Sequence, residues 1–299
     1  MLDELYDLHA EIERRHWWFA GRRQIMQRVV GRLLADDPAG GGRVLDIGCG
    51  TGANLAALAE SAAVLGMDSS AKAVELARQR FPEVEFVRGT GPADLAGRLS
   101  EVRVAMLMDV IEHLPDDFEA VSGWLSALPV GANLLITVPA DPRLWSRHDE
   151  VFGHYRRYTL PRLARVWEGL PVTCRLLSAY NARLYPVVRA VRAWRRLRGG
   201  TERGDDFSMS AAPINAGLQR MFAGEARRLL EVMDRPAGDG RGQGYRHGVS
   251  LIAVLRREAG QIAVRRRPAD VEPDRHNPAA AAAAAAETGD REAASGEPS

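Results

Sequence analysis

The residue types best suited to chemistry lie in a glycine-rich stretch, where acids flank a loop with glycines at alternate positions. Residues 44–52 read VLDIGCGTG, and Asp68 stands eighteen positions after Gly50. Glycine lets the backbone turn tightly and lets a ligand approach the main chain. An acid placed like Asp68 accepts hydrogen bonds from ribose hydroxyls in nucleotide-binding α/β folds. The pattern therefore predicts a site for a nucleoside-containing ligand.

Two ligand classes compete for this loop. Gly48 and Gly50, followed by Ala53, fit a relaxed dinucleotide fingerprint. Asp46, near the end of the predicted first strand, argues against a dinucleotide, because an acid beside the loop repels pyrophosphate and attracts an ammonium. S-adenosylmethionine has an ammonium, a carboxylate and a ribose but no phosphate, so we expect it as the cofactor. The alternatives are an NAD(P)-dependent oxidoreductase and a non-catalytic nucleotide-binding module on the same fold.

Three histidines are candidate catalytic bases. His113 follows the predicted fourth strand, at the sheet edge where ligands bind in open α/β folds. His148 and His154 lie in the loop after the fifth predicted strand, on the same edge. An oxygen nucleophile of high pKa needs such a base. The alternatives are that His113 caps or packs the next turn and that the loop histidines are solvated.

Candidate substrate-binding residues cluster in two aromatic and basic segments. Arg156 and Arg157 follow Tyr155, and guanidinium groups bind carboxylates and phosphates bidentately. The same arginines would equally suit internal ion pairs that anchor the loop. Trp17 and Trp18 are expected to form a lid over the ligands or to pack an N-terminal helix on the sheet.

The composition excludes several classes of protein. The chain has 299 residues, with 40 Lys and Arg against 39 Asp and Glu, and 46% hydrophobic residues. These values exclude a fibrous or wholly disordered chain and argue against a nucleic-acid-binding domain. Two cysteines favour a reducing, cytoplasmic location, and no Cys/His cluster has metal-ligand spacing, so no metal is expected.

The charge is unevenly distributed along the chain. Residues 151–203 contain twelve arginines and two glutamates, a local net charge of +10. Within this block, residues 183–198 form a basic amphipathic helix with Trp194 in its apolar stripe. Such a helix is typical of peripheral membrane contact, here at the inner face of the membrane, or of a lid with a solvated basic face. The block favours an anionic acceptor.

Strands alternate with helices through most of the chain. This alternation predicts an α/β fold: a Rossmann-like, doubly wound, seven-stranded sheet, mostly parallel with an antiparallel last strand. The expected strands are 43–47, 63–67, 84–88, 103–108, 132–138, 172–177 and 249–255; the expected helices are 1–35, 53–60, 70–80, 116–128 and 160–169.

Three regions divide the chain. Residues 1–38 are predicted to be an N-terminal helical cover, and residues 39–258 the main domain. The main domain carries a lid insertion at about 182–246 with two helices, after an irregular loop at 141–159. Residues 259–299, with their alanine run and prolines, are predicted to be a disordered low-complexity tail.

The glycine loop resembles the first motif of class I S-adenosylmethionine-dependent methyltransferases. The segment DVIEHL at 109–114 resembles the second, and the order and spacing agree over roughly residues 40–140. The chain is most similar to ubiquinone/menaquinone-type and type 11/23 methyltransferases. Segments at 16–23, 145–149, 153–159 and 248–251 also resemble a bacterial subgroup associated with envelope glycan or lipid biosynthesis.

The resemblance implies a role for each matching residue. Gly48, Gly50 and Gly52 would line the methionine part, with Asp46 near its ammonium. The remaining implied contacts are Asp68 with the ribose, Met67 or Ser69 with the adenine, and Asp109 near the methionine moiety.

The resemblance also has one departure. Gly89-Thr90-Gly91 replaces the family's usual Gly-Asp-Ala, whose Asp binds the adenine amine. Either Thr90 substitutes, or Asp94 reaches back, or a backbone carbonyl makes the contact. The expected activity is methyl transfer to an oxygen of a small-molecule, glycan or lipid-linked acceptor.

Overall fold

A single seven-stranded sheet organises the chain. The structure, a computed structural model, describes residues 3–37, 42–197, 211–235 and 244–262. The strands are β1 (Arg43–Ile47), β2 (Ala63–Asp68), β3 (Glu85–Arg88), β4 (Val102–Met108), β5 (Asn133–Pro139), β6 (Val172–Tyr180) and β7 (Ser250–Arg257).

The strand order is β3-β2-β1-β4-β5-β7-β6. The first five strands in the chain are parallel, whereas β7 runs antiparallel to both β5 and β6. The central strands are nearly continuous apolar runs because helices cover both faces. The doubly wound, mostly parallel sheet with an antiparallel last strand is therefore confirmed.

Successive side chains along each strand point to opposite faces of the sheet, and each face packs in a separate hydrophobic core. Val44 and Met106 face a core formed with Ile25, Leu55 and Phe222. Their neighbours along the strands, including Leu45 and Leu107, face a second core that contains Val121, Trp124 and Leu163. The helices are α1 (Asp3–Arg15), α2 (Trp17–Ala35), α3 (Ala53–Ala59), α4 (Ala71–Arg80), α5 (Asp117–Ala127), α6 (Arg147–Val151), α7 (Leu160–Ala164), α8 (Tyr185–Leu197), α9 (Ala212–Ala223) and α10 (Ala226–Met233).

The N-terminal cover is two helices rather than the single helix predicted over 1–35. His16 separates them, with φ −68° and ψ 132°, and its side chain accepts a hydrogen bond from the Trp18 N–H. The histidine therefore caps α2 and ends α1. The cap turns the chain so that the aromatic run that follows begins a new helix.

The region after β5 is more regular than the sequence predicts. Residues 141–159, expected to be irregular, contain a 3₁₀ turn (Pro142–Leu144) and α6. Ser146 and Asp149 form a capping box that starts α6. The helix expected over 160–169 is α7 followed by a 3₁₀ turn (Arg165–Trp167), and the insertion holds three described helices rather than two.

Some expectations lie outside the described residues. They include most of the predicted tail at 259–299 and two segments of the insertion, 198–210 and 236–243. Within the described ranges, no helix combines the length and the apolar character needed to span a bilayer.

Candidate active site

The site lies where β1 and β4 run side by side. Chain connections leave these two strands in opposite directions, β1 to β2 and β4 to β5, which opens a crevice at their carboxyl ends. The glycine loop follows β1, and Asp109 follows β4 directly. Asp109 has a positive φ of 56°, a conformation that Asp tolerates better than most residues.

The three glycines of the loop have different environments. All have positive φ: +74° at Gly48, +54° at Gly50 and +85° at Gly52. A Cβ on Gly48 would lie 2.6 Å from Val110 Cγ2, and one on Gly52 would lie 2.7 Å from Phe86 Cζ. A Cβ on Gly50 would meet no atom within 4 Å. Gly50 is therefore the glycine over which a ligand has room, whereas the other two permit close packing.

Asp68 ties the end of β2 to this loop. Its Oδ2 accepts the Gly50 N–H at 2.8 Å, and its Oδ1 accepts the Ser70 N–H at 2.9 Å. Each carboxylate oxygen has a second lone pair, so these bonds leave capacity for hydroxyl donors. The ribose role of Asp68 stays a prediction, as do the adenine contacts of Met67, which is buried, and Ser69, which is exposed.

In the loop after β3, Thr90 stands at the position where the family usually has the aspartate that binds adenine. Thr90 is exposed, and its N–H donates to Asp94 Oδ2 at 2.7 Å. The Gly91 N–H donates to the same oxygen at 3.1 Å, and these bonds lower the pKa of Asp94. Asp94 thus folds back onto its own loop, near Thr90, and which group meets adenine stays a prediction.

Asp46 is a buried carboxylate without a hydrogen-bond partner. Its side chain is 1% exposed, and neither oxygen has a partner among the described residues. Burial raises the pKa of Asp46 to about 7, with Arg22 opposing the rise and Asp68 adding to it. An unsatisfied buried carboxylate is costly. A cationic group bound at the crevice would relieve that cost.

Arg22 of α2 reaches the end of β4. Its guanidinium bonds to Asp109, and Thr137 Oγ1 donates to the other oxygen of Asp109 at 3.3 Å. The same guanidinium stacks over Trp18, 4.3 Å from the ring centroid. This arrangement fixes the N-terminal cover against the crevice.

One cavity of about 430 Å³ joins these elements. Glycine loop residues form one wall, and the N-terminal cover, the histidines and α8 form the others. Of the residues predicted for the site, those that line the cavity are Trp17, Trp18, Gly48, Gly50, Asp109, His113, His148, His154 and Arg157. Those outside its lining are Asp46, Gly52, Met67, Asp68, Ser69, Thr90, Tyr155 and Arg156.

The three histidines meet at one end of the cavity. The ring centroids of His113 and His154 are 4.7 Å apart, and those of His148 and His154 are 6.1 Å apart. Burial, with His154 nearby, lowers the pKa of His113 to about 3, so this imidazole is neutral at physiological pH. His154 Nδ1 lies 2.9 Å from Asp149 Oδ1, which fixes the orientation of its ring.

Arg156 and Arg157 both have internal partners. Arg156 donates to the carbonyls of Leu114 and Pro115, at 2.9 and 2.7 Å. Arg157 donates to Asp149 at 2.8 Å, although it also lines the cavity. These internal partners fit the alternative in which both arginines anchor the loop. Their contact with the acceptor stays a prediction.

Sequence reasoning did not single out three residues of this region. Arg22 and Glu112 line the cavity, and Asp149 buttresses His154. Glu112 is fully buried, and burial, with Asp109 nearby, raises its pKa well above the usual value. The sequence marks Glu112 and Arg22 in one way: they lie within the segments 109–114 and 16–23, which also contain Asp109 and Trp18.

Known proteins similar to this chain are methyltransferases. A trans-aconitate 2-methyltransferase of Azoarcus sp. is 33% identical over 125 residues, which are 40% of this chain and 47% of the relative. A ubiquinone biosynthesis O-methyltransferase of Klebsiella pneumoniae is 28% identical over 154 residues, which are 46% and 64% of the two chains. This chain therefore spans between about half and two thirds of the length of these curated relatives.

A family described as "Methyltransferase domain" matches residues 44–129, from β1 to just beyond α5. The matched segment contains the glycine loop, Asp68 and Asp109. Residues 44–129 therefore carry a methyltransferase domain of the class I S-adenosylmethionine-dependent type. The matches give no support to the oxidoreductase alternative.

A solved structure shares the fold of this chain. It is the plantazolicin methyltransferase BamL in complex with a triazolic desmethylPZN analog and SAH. The superposition covers 80% of this chain and 86% of that one, with a TM-score of 0.50 and 16% sequence identity. At that identity the likeness supports the Rossmann-like fold alone.

The crevice of the methyltransferase domain fits S-adenosylmethionine. The open space over Gly50 provides room at the main chain, and the unpartnered Asp46 carboxylate suits the ammonium of the methionine part. Gly50 lines the cavity, whereas Asp46 and Asp68 do not, so the contacts of these two carboxylates with the cofactor stay predictions.

Asp46→Asn tests the buried carboxylate. Folding raises the pKa of Asp46 from an ordinary 3.8 to about 7, so the folded protein favours the protonated carboxyl. The resulting contribution to stability is complete below about pH 4 and is lost as the pH rises through about 7. At pH 8 and in the absence of ligand, the free energy of unfolding of the Asn variant should exceed that of the wild type by about 1–4 kcal/mol. The variant should therefore melt at a higher temperature. It should also bind S-adenosylhomocysteine and S-adenosylmethionine at least roughly tenfold more weakly.

Calorimetry between pH 5.5 and 8 checks both effects of this substitution. The wild-type melting temperature should rise as the pH falls toward 5.5, and that of the variant should rise less. A variant that is less stable at pH 8 and binds the cofactor normally would contradict this account of Asp46.

Gly50→Ala and Gly52→Ala form a matched pair. Gly50→Ala places a methyl group in open space, so it should cost only about 1 kcal/mol of stability for positive φ while weakening cofactor binding strongly. Gly52→Ala forces a clash with Phe86 and should cost about 2–4 kcal/mol. Thermal melting and titration with S-adenosylhomocysteine separate the two effects, and equal losses of stability in both variants would refute the distinction.

Proposed function

We propose that this protein transfers the methyl group of S-adenosylmethionine to an oxygen atom of a small-molecule, glycan or lipid-linked acceptor. The observation that carries the proposal is the meeting of the glycine loop with His113, His148 and His154 in one cavity. The names of the relatives support it: one acts on trans-aconitate and another is an O-methyltransferase.

The chemistry requires alignment and removal of one proton. When bound, S-adenosylmethionine supplies a methyl group on a positively charged sulfur. The acceptor oxygen attacks the methyl carbon, the C–O bond forms as the C–S bond breaks, and the acceptor proton is released. Alignment of the two reactants at a site closed to water favours such a reaction, because charge is neutralised in it.

The histidine end of the cavity is the place for the acceptor. The pKa of His113, about 3, keeps its ring neutral and able to accept a hydrogen bond from a hydroxyl. Asp149 holds His154 in one orientation, and Arg157 at 2.8 Å holds Asp149. This bonded series gives the acceptor a rigid polar surface opposite the loop.

Helix α8 supports an acceptor with an apolar tail. Val187 and Val191 line the cavity but are also exposed, by 60% and 41%. Trp194, 53% exposed, continues the same helical stripe, and Leu197 at the end of the helix is 87% exposed. The stripe leads from the cavity to the protein surface. Arg189 of the same helix is exposed, and an apolar stripe on a basic helix is suited to lie on an anionic membrane surface.

His154→Ala should abolish turnover and spare cofactor binding. The transfer rate should fall by about 10²–10⁴, whereas the affinity for S-adenosylhomocysteine should stay within about threefold, because His154 lies at the acceptor end. The assay follows radiolabelled methyl transfer over a panel of glycans, quinols and lipid-linked sugars. Mass spectrometry then distinguishes oxygen from nitrogen products.

The matched control is His247→Ala, because His247 is exposed and stacks on Tyr185 rather than lining the cavity. It should retain wild-type activity. Wild-type protein that binds the cofactor and methylates nothing on the panel or in a cell extract would count against an enzyme.

Trp194→Ser combined with Leu197→Ser tests the membrane contact. The wild type should float with vesicles of phosphatidylglycerol and not of phosphatidylcholine, and the double variant should bind at least about tenfold more weakly, since each large apolar side chain is worth about 1.5–3 kcal/mol. Val130→Ser with Ile214→Ser, at sites 61% and 58% exposed, is the control. A wild-type protein that stays with the soluble fraction would remove the membrane contact from the proposal.

A further inference from the structure

Two histidines and a glutamate converge beside the cavity. One potential ligand atom each from Glu112, His113 and His154 lies within 4.8 Å of the others. Glu112 and His113 sit in the 3₁₀ turn after β4, and His154 comes from the loop after α6. No metal-ligand spacing is visible in the sequence, because His154 lies 41 positions beyond the adjacent pair of Glu112 and His113. The fold brings them together.

Glu112 is the most informative of the three. It is 0% exposed, and both carboxylate oxygens lack a hydrogen-bond partner in the described part of the chain. Asp109 lies close enough to oppose its ionisation. A buried carboxylate without partners is destabilising unless it is paired or coordinates a cation. Arg22 and Arg157 are near enough to act on Glu112 electrostatically, but neither donates a hydrogen bond to its two oxygens, which a bound cation could satisfy.

The surroundings of His154 have the form that supports a metal-bound imidazole. Its Nδ1 bonds to Asp149, so a metal would have to be ligated by Nε2. The Ser146 N–H donates to Asp149 at 2.8 Å, as does Arg157 Nε, so the carboxylate is itself held in place. A carboxylate that accepts the second N–H of a histidine ring orients the ring and raises its strength as a ligand.

We propose that Glu112, His113 and His154 bind a divalent transition-metal ion such as Zn²⁺ or Mn²⁺. Two imidazole nitrogens and one carboxylate favour these ions over Mg²⁺ or Ca²⁺, which prefer oxygen ligands. Ligand atoms around such an ion lie about 3–3.5 Å apart. Small rotations of the three side chains would therefore close the site.

The role of the ion rests on the proposed function, whereas its binding does not. Three protein ligands leave open positions, which two oxygens of one acceptor could fill. The bound ion would lower the pKa of an acceptor hydroxyl, whose proton passes to solvent, and the resulting oxygen would attack the methyl carbon. The acceptor class is then a hydroxyl compound with a neighbouring oxygen donor, such as a vicinal diol or a hydroxy acid. No electrons are exchanged.

The test is metal binding by the untagged full-length chain after chelator treatment. Titration with Zn²⁺ or Mn²⁺ alone should show one site per chain, and Mg²⁺ should bind more weakly. Glu112→Gln, which preserves the side-chain shape, and His113→Ala should each weaken binding by roughly 100-fold. Asp149→Asn should weaken it by about 10- to 100-fold. His247→Ala should bind as the wild type does.

Two readouts keep the test decisive if a variant fails to fold. The visible spectrum of bound Co²⁺ on the wild type reports nitrogen and oxygen ligation directly, and thermal melting should show stabilisation by the ion. Absence of binding, or binding unaltered by a folded Glu112→Gln variant, would overturn the proposal. Methyl transfer that survives complete chelation would overturn the role of the ion and leave the proposed function standing. Metal binding without methyl transfer to any acceptor would overturn the proposed function and leave the metal site standing.

Discussion

One guanidinium, that of Arg22, stands among three carboxylates at the carboxyl ends of β1 and β4. It bonds to Asp109, and its charge opposes the rise that burial causes in the pKa of both Asp46 and Glu112. Without a cation, three acids crowded at this edge would repel one another and take up protons. Because Arg22 belongs to α2, the electrostatics of the crevice depend on a helix outside the family's matched segment.

The N-terminal cover is fixed to the crevice at further points. Thr51 of the glycine loop donates to Glu13 of α1 at 2.5 Å, and Arg80 of α4 pairs with the same carboxylate. At the junction of α1 and α2, Asn215 of α9 accepts the Trp17 N–H at 2.9 Å. The cover and the insertion therefore meet each other as well as the sheet. Movement of one would be transmitted to the other two.

The sequence predicts what depends on local pattern. Every strand was located to within a few residues, because buried apolar runs between turns are a local signal. Helix α6 was missed because five residues are too few to show a helical period. The contrast between Gly50 and Gly52 depends on Phe86 from another strand, so three identical glycines looked alike. Likewise, the pairing of His154 with Asp149 depends on a turn that spacing alone does not reveal.

Antiparallel β7 has a consequence for how this protein can diversify. Tyr180 at the end of β6 pairs in register with Ser250 at the start of β7, so the insertion leaves and rejoins the sheet at one point. Within the insertion, Tyr245 bridges to Ala179 and Phe222 packs in the core beside the sheet, so the parts away from these contacts are those that can change in length without altering the strand pairing. Selection for a new acceptor can therefore act on those parts of the insertion, while the residues of the glycine loop remain as they are.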